Sequence, residues 1–357
     1  MHQLPWRLRS IEATNSLGLT RIAVTYADLT ILHCHDADIL AAQLRLPAYI
    51  DALTRGSVDR LPWISTNPHR DVEITIDIQT TTEHPEHIRL QLTLAPHDRS
   101  TAEARHVTLT HTTPASCQQL SLARSRPGRR WQQSTGGPST PVAAPQFVGA
   151  IPSTGTGDLP HWTDTAALTL TDTLNSVVID TTGPIPRPRT RHNVDLDLHH
   201  LTSQMRDGAG GAMRWQRHFT DPPRLVLDAH GELTVMVGAL AMPLHDASPR
   251  TRALVQLAAA RAAADSTATR PQLHLVEQPD HHVPGRDLPA LIEFMAGWAR
   301  HRQIVWSTSS DDVLTHLRRH KPAVDIAAYV QTPAGPQEIP MWPGRAMADA
   351  RQRATGR

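Results

Sequence analysis

The sequence predicts an α+β fold in two domains, and three features of its patterning support this. Residues before about position 120 contain repeated segments in which apolar and polar residues alternate, as in half-buried antiparallel strands. Residues after about position 224 combine a hairpin-like pair of strands with helices that connect further strands. Between them lies a stretch rich in Pro, Gly, Ser and Arg, which is typical of a linker.

The N-terminal domain is predicted to span residues 1–120 and to be mostly an antiparallel sheet with short helices. Segment 22–33 reads as one extended strand. Asp36 can cap a short helix, because its side chain can accept hydrogen bonds from backbone N–H groups of the first turn. Pro47 is expected to open a second helix, and Gly56 is expected to end it.

Three segments of this domain alternate strictly, with Ile, Leu or Val on one side and polar residues on the other. They are 73–78, 88–94 and 105–111. Side chains of a strand point alternately to its two faces, so this pattern predicts strands with one polar face. The short connections between the segments favour a meander.

The linker is predicted over residues 121–165, where apolar periodicity is lost. Residues 166–180 are expected to be extended again. The C-terminal mixed α/β domain is predicted over 166–342, followed by a basic tail at 343–357.

The C-terminal domain is expected to mix hairpins with helix-connected strands. Ser248 and Pro249 provide an N-cap and a first helical position, and Asp287 is expected to cap the next helix. The predicted elements, in order, are a hairpin at 224–237, a helix at 249–264, a strand at 272–277, a helix after 287, a strand at 304–308, a helix at 311–319 and a hairpin at 324–342.

Composition restricts the functional classes. The 357 residues include 35 Lys+Arg and 34 Asp+Glu, and this near balance argues against a strongly basic nucleic-acid binder or an acidic disordered chain. No apolar run approaches the about 18–20 residues that span a bilayer, and no signal peptide is visible, so a cytoplasmic protein without membrane contact is expected. Cys34 and Cys117 are too few for a disulfide scaffold, and whether they pair stays open.

His33 and His35 are the candidate metal ligands. At the end of a strand, residues two apart point to the same side, so both imidazoles could bind one ion. Zinc is the ion considered, and otherwise no cofactor is expected. A working site needs a third ligand, for which the loop at 280–282 (Asp-His-His) is one source. Asp311 and Asp312, at a predicted helix start, are interpreted as capping and dipole-compensating residues.

Other motifs favour structural roles. Asp195, Asp197 and His199 alternate with apolar residues and are interpreted as the outward face of a strand. The chain lacks a G-x-S-x-G elbow and a phosphate-binding GxxxxGK[ST] loop, and the glycine-rich segment 208–213 is interpreted as a flexible loop. No catalytic residue is therefore assigned.

An arginine cluster with one tryptophan lies in the linker, without an acidic residue among them. Its members are Arg124, Arg126, Arg129, Arg130 and Trp131. Arginine can pair with phosphate and tryptophan can stack on an exposed base, so contact with single-stranded nucleic acid is one interpretation. A solvated basic linker is the other.

The leading hypothesis is a non-enzymatic interaction or structural protein, bound to a protein partner or to a second copy of itself. Half-polar sheets with edges that can recruit partners favour it, as do tryptophans in irregular segments. These are Trp131, Trp162, Trp215 and Trp342. The alternatives are a nucleic-acid-associated accessory protein that uses the Arg/Trp linker and a metal-dependent hydrolase built around His33 and His35.

Overall fold

The fold was analysed in a computed structural model. It describes residues 6–16, 19–55, 61–62, 67, 69–96, 101–124, 131–135, 140–142, 146–148, 151–153, 160–181, 201–203, 219, 222–230, 233–237, 239–266, 273–320 and 322–341. Helices and strands both contribute, with a large antiparallel sheet and a separate mixed sheet. The predicted α+β class is therefore confirmed.

Four sheets are formed by the described strands. Their bounds are β1 Trp6–Ser16, β2 Leu19–Thr25, β3 Leu29–His33, β4 Leu61–Pro62, β5 Val72–Thr80, β6 His87–Pro96, β7 Thr101–Thr112, β8 Cys117–Ala123, β9 Trp131–Ser134, β10 Thr140–Val142, β11 Gln146–Val148, β12 Ile151–Ser153, β13 Ser176–Asp180, β14 Arg224–Leu227, β15 Leu233–Val237, β16 Leu240–Pro243, β17 Leu273–Glu277, β18 Gln303–Thr308, β19 Ile326–Thr332 and β20 Gly335–Ile339. The α-helices that lie wholly within the described residues are α1 Ala37–Arg55, α2 Trp162–Leu174, α3 Pro249–Ser266, α4 Leu288–Ala299 and α5 Asp311–His320.

Sheet A is the large antiparallel sheet, with strand order β10-β9-β8-β7-β6-β5-β1-β2 and β4 paired to β7. The predicted meander is confirmed, since β5, β6 and β7 pair in sequence order. Ile74, Ile76 and Ile78 of β5 are buried on its inner face. The alternate positions carry polar side chains, so one face of sheet A is polar.

Sheet B has the order β13-β17-β18-β3-β19-β20. The first five strands are parallel, and β20 is antiparallel to β19. Parallel sheets are buried on both faces, and the uniformly buried strand β18 fits this rule. β3 therefore lies at the centre of a sheet whose other strands come from the C-terminal half of the chain.

The predicted single strand at 22–33 is wrong, because the chain forms two strands in different sheets. β2 ends at Thr25, and the N–H of Tyr26 then donates to the carbonyl of Arg9. The hydroxyl of Thr30 accepts a hydrogen bond from the N–H of Ala27, which helps the chain turn before β3. Apolar content is the same on both sides of this turn, so the pattern did not reveal it.

Two apolar cores cover sheet B. One contains Leu273, Leu275 and Val305 together with α1, α2 and the inner face of sheet A. The other contains Ile304 and Trp306 together with α3, α4 and α5. The layers are thus sheet A with α1 and α2, then sheet B, then three helices. The boundaries of the two domains stay a prediction. β3 comes from the predicted N-terminal domain but pairs with β18 and β19 in sheet B.

The helix that is predicted to begin at Pro47 is the second half of α1, which continues through this proline without interruption. Proline lacks the N–H that would bond to the preceding turn, which ordinarily disrupts a helix. Leu46, Ile50 and Leu53 are fully buried around it. Tertiary packing on both sides of Pro47 therefore outweighs the local cost.

The cap by Asp36 is confirmed, since its Oδ1 accepts from the N–H groups of Asp38 and Ile39 at 3.0 and 3.1 Å.

The extended structure expected at 166–180 is correct only for β13, because 166–174 belong to α2. The threonines there suggested a strand. In the helix, the hydroxyls of Thr169, Thr171 and Thr173 each donate to the carbonyl four residues earlier, at 2.7–2.9 Å. Ala166, Ala167, Leu170 and Leu174 are buried on one side at helical spacing.

Part of the predicted linker is also structured. Residues 131–134 form β9, which pairs with β8 at the edge of sheet A. Short strands at 140–142, 146–148 and 151–153 follow. Composition suggested a linker because Pro and Gly dominate the intervening residues, whereas the strands themselves are only three or four residues long.

The remaining C-terminal elements are confirmed with one change. Hairpins β14–β15 and β19–β20, strands β17 and β18, and helices α3, α4 and α5 all form. The expected cap of α4 is wrong, because the buried carboxylate of Asp287 instead binds Arg250 at 2.7 Å.

Cys34 is buried and Cys117 exposed, and neither forms a disulfide. Among the described helices, none is both long and apolar enough to cross a bilayer.

Candidate metal centre

The candidate site lies where the carboxyl ends of β3 and β18 meet. After β3 the chain enters α1, which packs on the first core, whereas after β18 it enters α5, which packs on the second core. Neighbouring parallel strands whose connections leave to opposite faces create a crevice at their carboxyl ends, and open α/β sheets bind ligands there. His33 ends β3 and pairs in register with Thr308 at the end of β18.

Three potential ligands converge in this crevice. His33, His35 and Asp311 each offer one atom, and these atoms lie within 4.8 Å of one another. Nε2 of His33 is 3.2 Å from Oδ1 of Asp311, and the two imidazole centroids are 4.9 Å apart. Two ligands each about 2.1 Å from a tetrahedral zinc ion would be about 3.4 Å apart, so the His33–Asp311 pair has the separation of two ligands of one ion.

His33 has the environment of a ligand rather than of a surface histidine. It is buried, and within the described residues neither ring nitrogen makes a hydrogen bond of good geometry, despite the proximity of Asp311. Burial lowers the pKa of His33, and the nearby carboxylates of Asp311 and Asp280 oppose this only in part. The imidazole is therefore neutral near pH 7, which is the form that binds metal.

Asp280 lies beside the crevice but its carboxylate is already engaged. Oδ1 accepts from Nε1 of Trp306 at 2.8 Å, and Oδ2 accepts from the hydroxyl of Thr308 at 2.7 Å. Burial raises the pKa of Asp280, and these two hydrogen bonds oppose that rise. Asp280 therefore holds the end of β18 in place and adds a carboxyl group beside the crevice, but it is not part of the cluster.

The crevice does not have the features of a phosphate-binding loop. The N-terminus of α1 is occupied by the carboxylate of Asp36, so its N–H groups are not presented to an anion. Asp38 adds another acidic group to the first turn. The acidic and imidazole groups that surround the crevice instead suit a divalent cation.

Two of the three residues of this cluster are the predicted pair. His33 and His35 are brought together as the His-x-His spacing predicts, whereas the third group of the cluster is Asp311 and not a residue of the 280–282 loop. Asp311 was interpreted as dipole-compensating, which its position in the first turn of α5 also allows. The missing signal is the adjacency of β3 and β18, strands separated by about 270 residues in the chain.

Of the predicted nucleic-acid cluster, the structure describes two residues, and neither lies on an open surface. Arg124 and Trp131 are buried, and the guanidinium carbon of Arg124 lies 4.8 Å from the indole centroid. Nε of Arg124 also donates to the carbonyl of Ala104 at 2.8 Å. Arg126, Arg129 and Arg130 lie outside the described residues, as do Asp195, Asp197, His199, Trp215, Trp342 and the segment 208–213.

No protein-family model matches the sequence, and no curated protein matches it. Several solved structures share a weak likeness. An SMC head bound to the C-terminal winged-helix domain of ScpA has a TM-score of 0.44 at 12% identity, over 96% of this chain and 99% of that one. An SMC head with an extended coiled coil, bound to the C-terminal domain of ScpA and derived from Pyrococcus furiosus, has a TM-score of 0.43 at 10% identity, over 98% and 100%.

The recombination mediator protein RecF has a TM-score of 0.41 at 7% identity, over 95% of this chain and 99% of that one. TM-scores and identities at this level are too low to transfer an activity, so the site has to be interpreted from its own residues.

Proposed function

We propose that the protein is a metal-dependent hydrolase whose centre is held by His33, His35 and Asp311. The observation that carries this proposal is the convergence of their three ligand atoms within 4.8 Å at the carboxyl edge of sheet B. Two imidazoles and one carboxylate form the donor set of several catalytic zinc sites, which keep a further position for water or substrate.

The division of burial within the cluster supports an accessible centre. His33 is packed at the end of β3, whereas His35 and Asp311 are exposed. A bound zinc ion would lower the pKa of a coordinated water and so supply a nucleophile near neutral pH. The chain would contribute the rigid, neutral imidazole of His33, the more accessible His35, and a carboxylate held by the first turn of α5.

Metal content provides the direct test. Wild-type protein dialysed against zinc is expected to retain about one ion per chain, measured by inductively coupled plasma mass spectrometry. His33→Ala and Asp311→Asn are each expected to lower the zinc affinity by more than about 100-fold, because losing a residue that only hydrogen-bonds to a ligand already costs about 10–100-fold. Asp312→Asn is the matched control, because Asp312 is the exposed neighbour of Asp311 but is not part of the cluster.

Equal zinc retention by wild type, His33→Ala and Asp311→Asn would contradict the proposed centre. Retention lost in Asp312→Asn as well would show that general acidity, rather than this geometry, binds the ion. Where zinc binds as expected, hydrolysis of activated ester and phosphoester substrates by wild type, but not by His33→Ala, tests the catalytic part.

A second candidate is a nucleic-acid-associated accessory role. It rests on the arginines of segment 124–131 and not on the low-scoring structural likenesses. Because Arg124 and Trp131 pack against each other, the role would fall to Arg126, Arg129 and Arg130. Arginine contacts to phosphate release counterions, which makes binding steeply salt-dependent.

We expect the double variant Arg129→Gln/Arg130→Gln to bind single-stranded DNA more weakly than wild type. The slope of log K against log salt should decrease by about 1.4, because each phosphate contact on a single strand contributes about 0.7. Fluorescence anisotropy over a salt series measures this. The control is Arg318→Gln/Arg319→Gln, an equally charged exposed pair at the end of α5. An unchanged slope in the first variant would remove this role.

The interaction-protein hypothesis stays a prediction. Trp131, one of its four tryptophans, is buried, and Trp162 is partly buried against the first core. A protein partner or a second copy would have to use other surfaces, such as the edges of sheet A. Co-purification at near-stoichiometric yield from the native host, resistant to nuclease, would favour it over both proposals above.

A further inference from the structure

A pocket lies on the polar outer face of sheet A, away from the candidate metal centre. It has a volume of about 410 Å³ and is lined by side chains from β1, β5, β6, β7 and β8, among them Arg9, Asp77, His87, Arg89, Gln91 and Gln119. Its floor is the centre of the sheet, where β5 and β6 pair directly, with Asp77 opposite Arg89.

Asp77 is the unusual residue of this floor. It is 3% exposed, although it belongs to the polar face of β5, between the inward-facing Ile76 and Ile78. Its Oδ2 accepts from Nη2 of Arg89 at 2.8 Å and lies 4.0 Å from Nη1 of Arg9. Its Oδ1 lies 3.6 Å from Nδ1 of His87. A buried carboxylate needs hydrogen-bond donors or opposite charges to compensate for its lost hydration, and here two guanidinium groups supply positive charge.

The position of Arg9 results from an irregularity in β1. The pairing of β1 with β5 shifts register between Leu8 and Ser10, so Arg9 is the additional residue of a β-bulge. Bulges change the direction of a side chain relative to a regular strand. This one brings the guanidinium of Arg9 to the same carboxylate as Arg89, and to 3.4 Å from Nδ1 of His87.

The charges of the pocket do not cancel. Arg9 and Arg89 contribute two positive charges against the single negative charge of Asp77. The side chains of Arg9 and Arg89 remain 47% and 52% exposed, respectively. A guanidinium carries five N–H donors, of which Asp77 takes only one from Arg89 by a hydrogen bond. Asp77 thus holds two arginines side by side, and both guanidinium groups remain partly exposed where they line the pocket.

We propose that this pocket binds the phosphate group of a phosphate ester, with Arg9 and Arg89 as the anion-binding residues and Asp77 as a positioning residue. Paired guanidinium groups match phosphate oxygens bidentately, and charge-assisted bonds of this kind are strong. The volume exceeds that of phosphate alone, and the amides of Gln91 and Gln119 line the remainder, so the ligand also carries a polar organic group. A free nucleotide and a nucleic-acid phosphodiester both offer this chemistry.

Isothermal titration calorimetry with defined probes tests the proposal and separates these sources. The probes are uridine 5′-monophosphate, uridine, inorganic phosphate and a single-stranded oligouridylate. Wild type is expected to bind the monophosphate or the oligonucleotide at least about tenfold more tightly than uridine or inorganic phosphate. Preference for the monophosphate assigns a small-molecule site, and preference for the oligonucleotide assigns a phosphodiester site.

Arg89→Gln is expected to weaken binding of the preferred probe at least about tenfold. Because it leaves Asp77 with fewer partners, the double variant Asp77→Asn/Arg89→Gln provides a second form in which an uncharged amide replaces the buried carboxylate. Arg21→Gln is the matched control, since Arg21 is an exposed arginine on β2 that pairs with Glu12 at 3.8 Å outside the pocket. Equal binding of uridine and its monophosphate, or unchanged binding by the folded double variant, would overturn the proposal.

Discussion

Replacing Trp306 by alanine is expected to lower the free energy of unfolding by about 3–5 kcal/mol, the usual cost of removing a large buried aromatic side chain. Trp306 is fully buried in β18, within the core between sheet B and helices α3, α4 and α5. Its indole N–H also donates to Oδ1 of Asp280. The substitution therefore leaves a cavity and removes a hydrogen bond from a buried carboxyl group, and both effects destabilise the fold.

Urea denaturation followed by tryptophan-independent far-ultraviolet circular dichroism measures this loss. Trp306→Phe reduces the cavity while still removing the N–H donor, because phenylalanine keeps one aromatic ring in the core, and its expected cost is about 1–3 kcal/mol. The control is Leu168→Ala in α2, where a side chain that is 64% exposed should change stability by less than about 0.5 kcal/mol. A Trp306→Ala loss as small as that of the control would contradict the packing described for this core.

Replacing Gln303 by leucine is expected to destabilise the protein by about 2–4 kcal/mol, because two buried backbone groups lose their partners. Gln303 begins β18 in sheet B, and its side chain is bound to β1 in sheet A. Oε1 accepts from the N–H of Leu8 and Nε2 donates to the carbonyl of Leu8, both at 2.8 Å. A longer contact from Nε2 reaches the carbonyl of Ala27 at 3.4 Å.

The side chain of Gln303 thus serves as a polar clamp between the two sheets, and leucine has similar volume but cannot form these bonds. Thermal and urea unfolding give the stability change, and hydrogen exchange at Leu8 reports on the clamp directly. Gln337→Leu, at an exposed position of β20, is the control and should be nearly neutral. Unchanged protection of the Leu8 N–H in Gln303→Leu would show that the clamp is not needed.

The three strands of the meander and helices α3, α4 and α5 were predicted correctly from local features of the sequence. Segments 73–78, 88–94 and 105–111 were correctly predicted as strands. Successive side chains of a strand point to opposite faces, so burial of one face makes apolar and polar residues alternate in the sequence, whichever strand lies beside it. Helices α3, α4 and α5 were found from apolar spacing and from proline or acidic residues at their starts. These are local signals, and local chemistry was sufficient to interpret them.

Other elements depended on long-range packing. α1 continues through Pro47 because buried residues on both sides outweigh the local cost of proline, and α2 forms because its apolar face, with Leu170 and Leu174, is buried in the first core. Arg124 and Trp131 looked like an exposed cluster, whereas the edge of sheet A buries them against each other. None of these outcomes is visible without knowing what lies beside the segment.

The same division applies to the candidate sites. The α+β class, the polar face of sheet A and the His33–His35 pair can be predicted from the sequence, because they depend on residue type and on spacing of one or two positions. The approach of Asp311 to that pair, and the carboxylate of Asp77 that Arg9 and Arg89 share, require the folded arrangement. Such contacts depend on strand order, register and one β-bulge, which arise when distant segments pack together and minimise exposed apolar surface.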